Sequence, residues 1–202
     1  MRFLVCLLLL VPSVLLGSSR QIFSYSIQQG SRISISGSSN VNQFTCYSPV
    51  ASSREYVNIE TRAGSNTLRF SDASHNIRVE LFDCGNRLIT RNMHNALGAN
   101  DHPFITIRII EGTPILHNQR TGSGTAQVLI SITLNGVTRQ SPMQVEYEGL
   151  NTNQTTILGT KRLRMTDFGI TPPSPALGLV KVQDEVTIEL SLLVKTSQVV
   201  PN

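Results

Sequence analysis

The chain has 202 residues, 40% apolar and 15% charged, a balance that excludes a disordered polymer and a multi-spanning membrane protein. Lys and Arg number 17 against 13 acidic residues, and this small excess is spread along the chain instead of forming a track for a polyanion. Fourteen Gly and nine Pro without a triplet period exclude collagen, and seven Phe, four Tyr and no Trp leave little surface for stacking bases, so no nucleic-acid partner is expected.

The first segment reads as a cleavable export signal over residues 1–19. Arg2 supplies the positive start, Phe3 to Leu16 an apolar run, and Gly17-Ser18-Ser19 the small residues of a cleavage site. The run falls short of the ~20 apolar residues that a membrane span needs. Residues 20–202 are then expected as one domain, periplasmic or secreted, with no stable membrane anchor after cleavage. Discarding Cys6 with the leader leaves Cys46 and Cys84, whose natural reading in an oxidising compartment is a disulfide. Closing that loop is worth roughly 3–4 kcal/mol in the chain-entropy account. The rival, a redox or metal pair, lacks a Cys-x-x-Cys spacing and any histidine placed as a co-ligand, so no metal and no cofactor are expected.

Beyond the leader, apolar residues recur at every second position between turns rich in Gly, Ser, Asn and Pro. The strand segments are carried by Ile33 and Ile35; Val57 and Ile59; Leu68 and Phe70; and Ile77, Val79 and Leu81. Further on come Ile105, Ile107 and Ile109, the long run Ala126, Val128, Ile130, Ile132 and Leu134, and Met143, Val145 and Tyr147. Leu163 and Met165, then Val186, Ile188, Leu190 and Leu192, complete the set. Each strand has one dry and one wet face, and about eight such segments describe an all-β antiparallel sheet closed into a barrel or folded into a sandwich. Two stretches break the period. Leu88, Met93, Ala96 and Leu97 are spaced for a short helix that starts near Asp83 or Asn86 and ends at Gly98. Thr171 to Gly178, with three prolines, forms a rigid loop.

Candidate chemistry is sparse. His75, His94, His102 and His117 are scattered, with only His94 and His102 near one another at the end of the helix. Glu146 and Glu148 share the wet face of a strand, Asp184-Glu185 opens the last strand as a turn, and Lys161-Arg162-Leu163-Arg164 alternates like the solvent face of a strand. Asp167-Phe168-Gly169 has no kinase context. Gly169 there can take positive φ, the Asp carboxylate can accept local N–H groups, and Phe168 can fold over an opening of the barrel. Asn153-Gln154-Thr155 matches a glycosylation acceptor, and no catalytic constellation emerges, so an enzyme is not expected.

The dry faces set the functional question, because a sheet of this size closes on an interior that is either filled by side chains or holds one elongated ligand. The inward sets are mostly aliphatic. One reading is a carrier whose lumen, lined by Ile105, Ile107, Val128, Ile130, Ile132, Met143, Val145, Val186, Ile188 and Leu190 with Phe168 at the opening, binds a long apolar molecule by burial at ~25 cal/mol per Å². The other is a barrel packed shut, a structural module whose loops around Asn86 to Asn100 and Thr171 to Leu179 bind another protein.

Several motifs carry a family resemblance. Leu134-Asn135-Gly136-Val137-Thr138-Arg139, then Thr166-Asp167-Phe168-Gly169-Ile170, then Val182-Gln183-Asp184-Glu185-Val186 resemble, in that order, the C-terminal half of the YceI-like family. Gly37 to Phe44 and the His102-Pro103-Phe104-Ile105 entry resemble its N-terminal half, so the likeness spans about Tyr25 to Val194. The sequence departs from the family pattern at the insert, where Asn86 to Met93 replaces the usual Arg-Asp-x-His-Leu stretch. The resemblance implies an exported lipocalin-like barrel with a short helical insert, holding a polyisoprenoid or other long-chain lipid. It also implies a bridge from Cys46 to Cys84 tying a strand to the insert, and a possible homodimer.

Overall fold

The computed structural model describes residues 18–62, 64–150 and 152–198. The expected leader therefore lies, apart from Ser18 and Ser19, outside the described residues. Eleven strands and one helix follow in the order β1 (Ser18–Ile27), β2 (Arg32–Ser38), β3 (Gln43–Pro49), β4 (Ser53–Arg62), β5 (Leu68–Ser71), β6 (Ser74–Arg78), α1 (Arg87–Ala96), β7 (Phe104–Asn118), β8 (Ser123–Leu134), β9 (Val137–Glu148), β10 (Thr155–Arg164) and β11 (Glu185–Gln198). Short 3-10 turns occupy Val79–Leu81 and Met165–Phe168.

All pairings are antiparallel, and the ring β1-β4-β5-β7-β8-β9-β10-β11 returns to β1, which closes the sheet into a barrel and leaves no free edge along that ring. The expected barrel is thus observed. Its strand count exceeds the sequence reading because β1 and β3 were not among the expected segments; three long strands of the barrel are kinked into the pairs β1–β2, β3–β4 and β5–β6. Along β11, β1 meets Val194–Gln198 and β2 meets Thr187–Ser191, with a jog at Gly30, whose φ of 95° suits glycine alone. The same jog separates β3 from β4 and β5 from β6. Alternation decides the faces: along β8, Val128, Ile130, Ile132 and Leu134 are all buried while Gln127 is exposed. β-branched residues dominate these inward positions because they pack well on a pleated, half-buried surface.

Two expected strand segments end early. Val79–Leu81 is a 3-10 turn, since Val79 N–H donates to Pro103 O (2.9 Å) and the chain leaves the ladder there. Met165 likewise opens the second 3-10 turn after β10. β1 and β3 are additional to the segments read from the sequence: in β1 Phe23, Tyr25 and Ile27 alternate with Ser24 and Ser26, while β3 has only Phe44 and Cys46 as apolar residues on its inward side and pairs with β2.

The ring is incomplete at one end, because β3 and β6 diverge. A strap formed by residues 79–84 spans the gap: Tyr47 and Asp83 exchange backbone hydrogen bonds of 2.8 and 2.9 Å, and Cys46 is disulfide-bonded to Cys84, 38 residues away. The expected pairing of these cysteines is therefore present, with Cys46 wholly buried.

Candidate functional site

A cavity of about 400 Å³ lies at the strapped end of the barrel, within the ~300–1,000 Å³ range of small-molecule sites. Its floor is made by inward residues of four strands, Ile35, Ile105, Ile132, Leu134 and Ile188, with Phe168 on one side. Phe168 is 1% exposed and is set by the Met165–Phe168 turn, after which Gly169 takes a φ of 69° as expected.

The roof has two parts. The first is α1, which begins where Asn86 Oδ1 accepts from Leu88 N–H (2.9 Å) and Ile89 N–H (3.2 Å), a side-chain cap that satisfies two orphan donors. It ends before Gly98, which has a φ of 67°. Leu88, Ile89, Met93 and Ala96 share one face and line the cavity, yet no residue of the helix is fully buried. An amphipathic helix whose apolar face stays half-wet is laid over a hollow, not packed into a core. The strap anchors it: Thr90 Oγ1 accepts from Cys84 N–H (3.0 Å) and donates to Asp83 Oδ1 (3.3 Å), while His94 Nε2 lies 2.9 Å from Phe82 O.

The second part of the roof is the proline loop. Pro173, Pro175, Ala176, Val180 and Val182 line the cavity, and the loop is folded on itself by Val182 N–H donating to Pro173 O (3.1 Å) and Val180 N–H to Pro175 O (3.3 Å). Asn40 clamps it to the β2–β3 turn, its Nδ2 donating to Leu179 O (3.0 Å) and its Oδ1 accepting from Lys181 N–H (2.7 Å). The mouth lies between these pieces, where the lining residues Val41 and Leu88 are 65% and 58% exposed.

Polar groups around the site are structural. Asp184 accepts from Thr166 Oγ1 (2.7 Å) and Thr166 N–H (2.9 Å), so the Thr166 hydroxyl first and its backbone N–H second hold this carboxyl below the usual carboxylate range, with Arg164 assisting. The local acceptor in this turn is thus Asp184, not Asp167, because the start of β11 crosses the turn and brings its carboxylate to Thr166. Inside the opposite end of the barrel, Tyr25 donates to Glu55 Oε2 (2.8 Å) and His75 Nδ1 lies 3.6 Å from Glu55 Oε1. Burial, then Glu55, pushes the Tyr25 phenol well above its ordinary value. His117 pairs with Tyr147 (3.1 Å), and the His102 ring covers Gly136, where a Cβ would stand 2.7 Å from its Cε1. Among the described residues no group of three His, Cys, Asp or Glu could hold a metal ion.

Of the residues singled out for the lumen, Ile105, Ile132, Phe168, Val186 and Ile188 line the cavity. Ile107, Val128, Ile130, Met143, Val145 and Leu190 do not; all eleven belong to one hydrophobic core, and these six occupy the part of it away from the cavity. The packed-shut alternative therefore describes only one end of the barrel. The segments around Asn86 to Asn100 and Thr171 to Leu179, read there as protein-binding loops, roof the cavity. Their contribution went unread because a helix face and a proline loop give no period that points at a sheet interior.

The fold has solved counterparts. A polyisoprenoid-binding domain from Saccharophagus degradans superimposes with a TM-score of 0.59 at 11% identity, covering 86% of this chain and 98% of that one. BcnA of Burkholderia cenocepacia superimposes with a TM-score of 0.57 at 17% identity, covering 81% and 95%. No curated protein matches the sequence. The model of the YceI-like domain matches residues 26–194, most of the length over which these elements form one barrel, and the chain belongs to the YceI-like family.

Proposed function

We propose that this protein is an exported, non-catalytic carrier that encloses the chain of an isoprenoid or related long-chain lipid in the roofed cavity. The observation that carries this reading is the cavity itself: about 400 Å³ of space walled mostly by Ile, Leu, Val, Met, Phe and Pro side chains from six strands, a helix and a loop, with Ser39, Asn42, Asn92 and Arg164 the polar exceptions. Releasing water from such walls favours any apolar chain that fits, at ~25 cal/mol per Å² buried. Selectivity among chains is loose, since a hydrocarbon wall distinguishes one methylene by only ~1–3 kcal/mol. That a Saccharophagus degradans domain of the same fold is described as polyisoprenoid-binding supports the choice of isoprenoid.

The disulfide and the leader-like N-terminus support an oxidising destination, periplasmic or secreted. Organic extraction of protein purified natively from an isoprenoid-producing host, followed by mass spectrometry, tests the function. An isoprenoid at near-stoichiometric yield is expected; an extract free of long-chain apolar molecules, together with no uptake of an added prenol, overturns the reading.

A further inference from the structure

The rim of the roofed cavity is apolar on its outer side as well. Val41 and Leu88 stand exposed at the mouth, and the proline loop adds Leu177, wholly exposed, and Leu179, 75% exposed. Leu179 is held beside the β2–β3 turn that carries Val41, because Asn40 Nδ2 donates to Leu179 O (3.0 Å) and Lys181 N–H donates to Asn40 Oδ1 (2.7 Å). One exposed leucine is ordinary, but a group gathered around one opening from the β2–β3 turn, α1 and the proline loop is not. The backbone is bent to make this display. Ala176 and Leu177 both take a φ of 54°, the left-handed region that favours glycine, and the turn is closed by Gly178 N–H donating to Pro175 O (3.3 Å) and Leu179 N–H to Ala176 O (3.1 Å).

Two further features indicate what covers the rim. The first is charge. Residues 36–50, 86–100 and 171–183, the segments around the mouth, carry the exposed cations Arg87, Arg91 and Lys181 and not one of the chain's 13 acidic residues. Arg91 lies one helical turn from both Arg87 and Leu88. Asp83, just before the helix, is turned to the strap, where Gly85 N–H and Thr90 Oγ1 donate to it. The second is hydrogen bonding. Pro172, Pro173 and Pro175 have no N–H, and Gly178, Leu179, Val180, Lys181 and Val182 all donate theirs within the protein. A loop with so few free donors loses little when its tip leaves water.

We infer that the rim is a docking face for an anionic bilayer surface, its leucine tips seated among the acyl chains and its cations over the head groups. The inference rests on the carrier reading for its purpose: a chain too apolar for water passes between bilayer and cavity at the mouth. Burial of apolar tips and attraction to anionic lipids are the two forces that hold an interfacial segment on a membrane, and the rim supplies both. A protein partner is favoured less, since such interfaces rely on directional hydrogen bonds and this rim offers few.

Co-sedimentation with vesicles tests the face, using protein purified natively from an isoprenoid-producing host and then delipidated. The vesicles are of phosphatidylcholine alone or of an equal mixture with phosphatidylglycerol. The mixture is expected to bind the protein at least about tenfold more strongly at low ionic strength, with the margin shrinking as salt rises. Arg87→Gln with Lys181→Gln should lower binding to the mixture roughly fivefold per charge removed. Leu177→Ser with Leu179→Ser should lower it by at least about tenfold. These leucines lie outside the cavity lining, so the same variant should bind farnesol in solution as the wild type does, which also reports that it is folded. Leu116→Ser, at an exposed leucine near the other end of the barrel, should change neither property.

Wild-type protein absent from both pellets, equal binding to the two kinds of vesicle, or binding that survives the Leu177 and Leu179 substitutions overturns the docking face; farnesol binding in the same samples leaves the carrier reading standing. A wild-type chain that stays out of both pellets and forms a dimer abolished by those substitutions overturns the bilayer and assigns the rim to a second copy. The expected vesicle pattern without farnesol binding supports the docking face and overturns the carrier reading.

Discussion

Strand β8 runs through both halves of the barrel, and its inward residues meet different fates in each. Val128 packs beside Phe70 over Gly112 and stands opposite Met143, whose Cε lies over Gly159. Two glycines thus make room for two large side chains, and Val128 and Ile130 end in a filled layer. Farther along the same face, Ile132 and Leu134, equally buried, form the floor of the cavity under α1 and the proline loop. The alternation is identical in the two halves. What differs is whether neighbouring strands send large side chains inward or a roof stands off above them, so the period of a strand fixes which side is dry and not whether that side is full.

The contrast gives a graded set of expectations. Replacing Cys46 and Cys84 with Ser should cost the most, roughly 3–4 kcal/mol for a closed loop of this length, read as a lowered urea midpoint. The same change should weaken lipid retention, because the strap holds the helical half of the roof. Next comes the packed half: Ile130→Ala, at a site 2% exposed, should lose about 3 kcal/mol of stability with little change in prenol affinity. Leu88→Ala, at the mouth, should lose no more than ~0.5 kcal/mol of stability and do its damage to lipid affinity. Comparable stability losses from the two would erase the distinction between filled and hollow halves.

Ala96→Trp places an indole in the roofed cavity from the helix side. It should weaken prenol binding at least tenfold by fluorescence titration while shifting the urea midpoint little, since the space it fills is empty of protein atoms. The smallest effect concerns pH. Asp184 has its carboxyl held below the ordinary value, so it contributes stability above the unfolded carboxylate value near pH ~4 and loses it as pH falls through the lowered one. As the group is exposed, Asp184→Asn should only slightly flatten the acid limb of the stability profile, with no change above pH ~6.

Much of the fold was legible because its signals are local. Alternation marked β8 and β11, Asp83 or Asn86 at one end and Gly98 at the other bracketed the helix, and the two cysteines beyond the expected leader left one pairing. β1 was legible but went unread, since Phe23, Tyr25 and Ile27 alternate with Ser24 and Ser26; β3 was not, because Gln43–Pro49 alternates weakly and becomes a strand through β2. The site was legible in part. Ile132, Ile188 and Phe168 could be placed on an inner face, but which inward residues face space depends on the jogs that split three strands, on the divergence of β3 from β6 and on the early end of the β9–β10 ladder. None of these leaves a periodic mark. The run Lys161-Arg162-Leu163-Arg164 shows the same limit: it alternates like a solvent-facing strand, and only the missing ladder opposite turns Lys161 toward a slit.

The central claim, that a long apolar chain occupies the roofed half and not the packed half, is tested most directly by intermolecular NOEs between a bound prenol and 13C-labelled methyl groups of the protein. The account predicts contacts to Leu88, Ile89, Ile132 and Ile188 and none to Val128 or Ile130. Contacts confined to the outer surface, or reaching Val128 and Ile130 as strongly as Ile132, would contradict it.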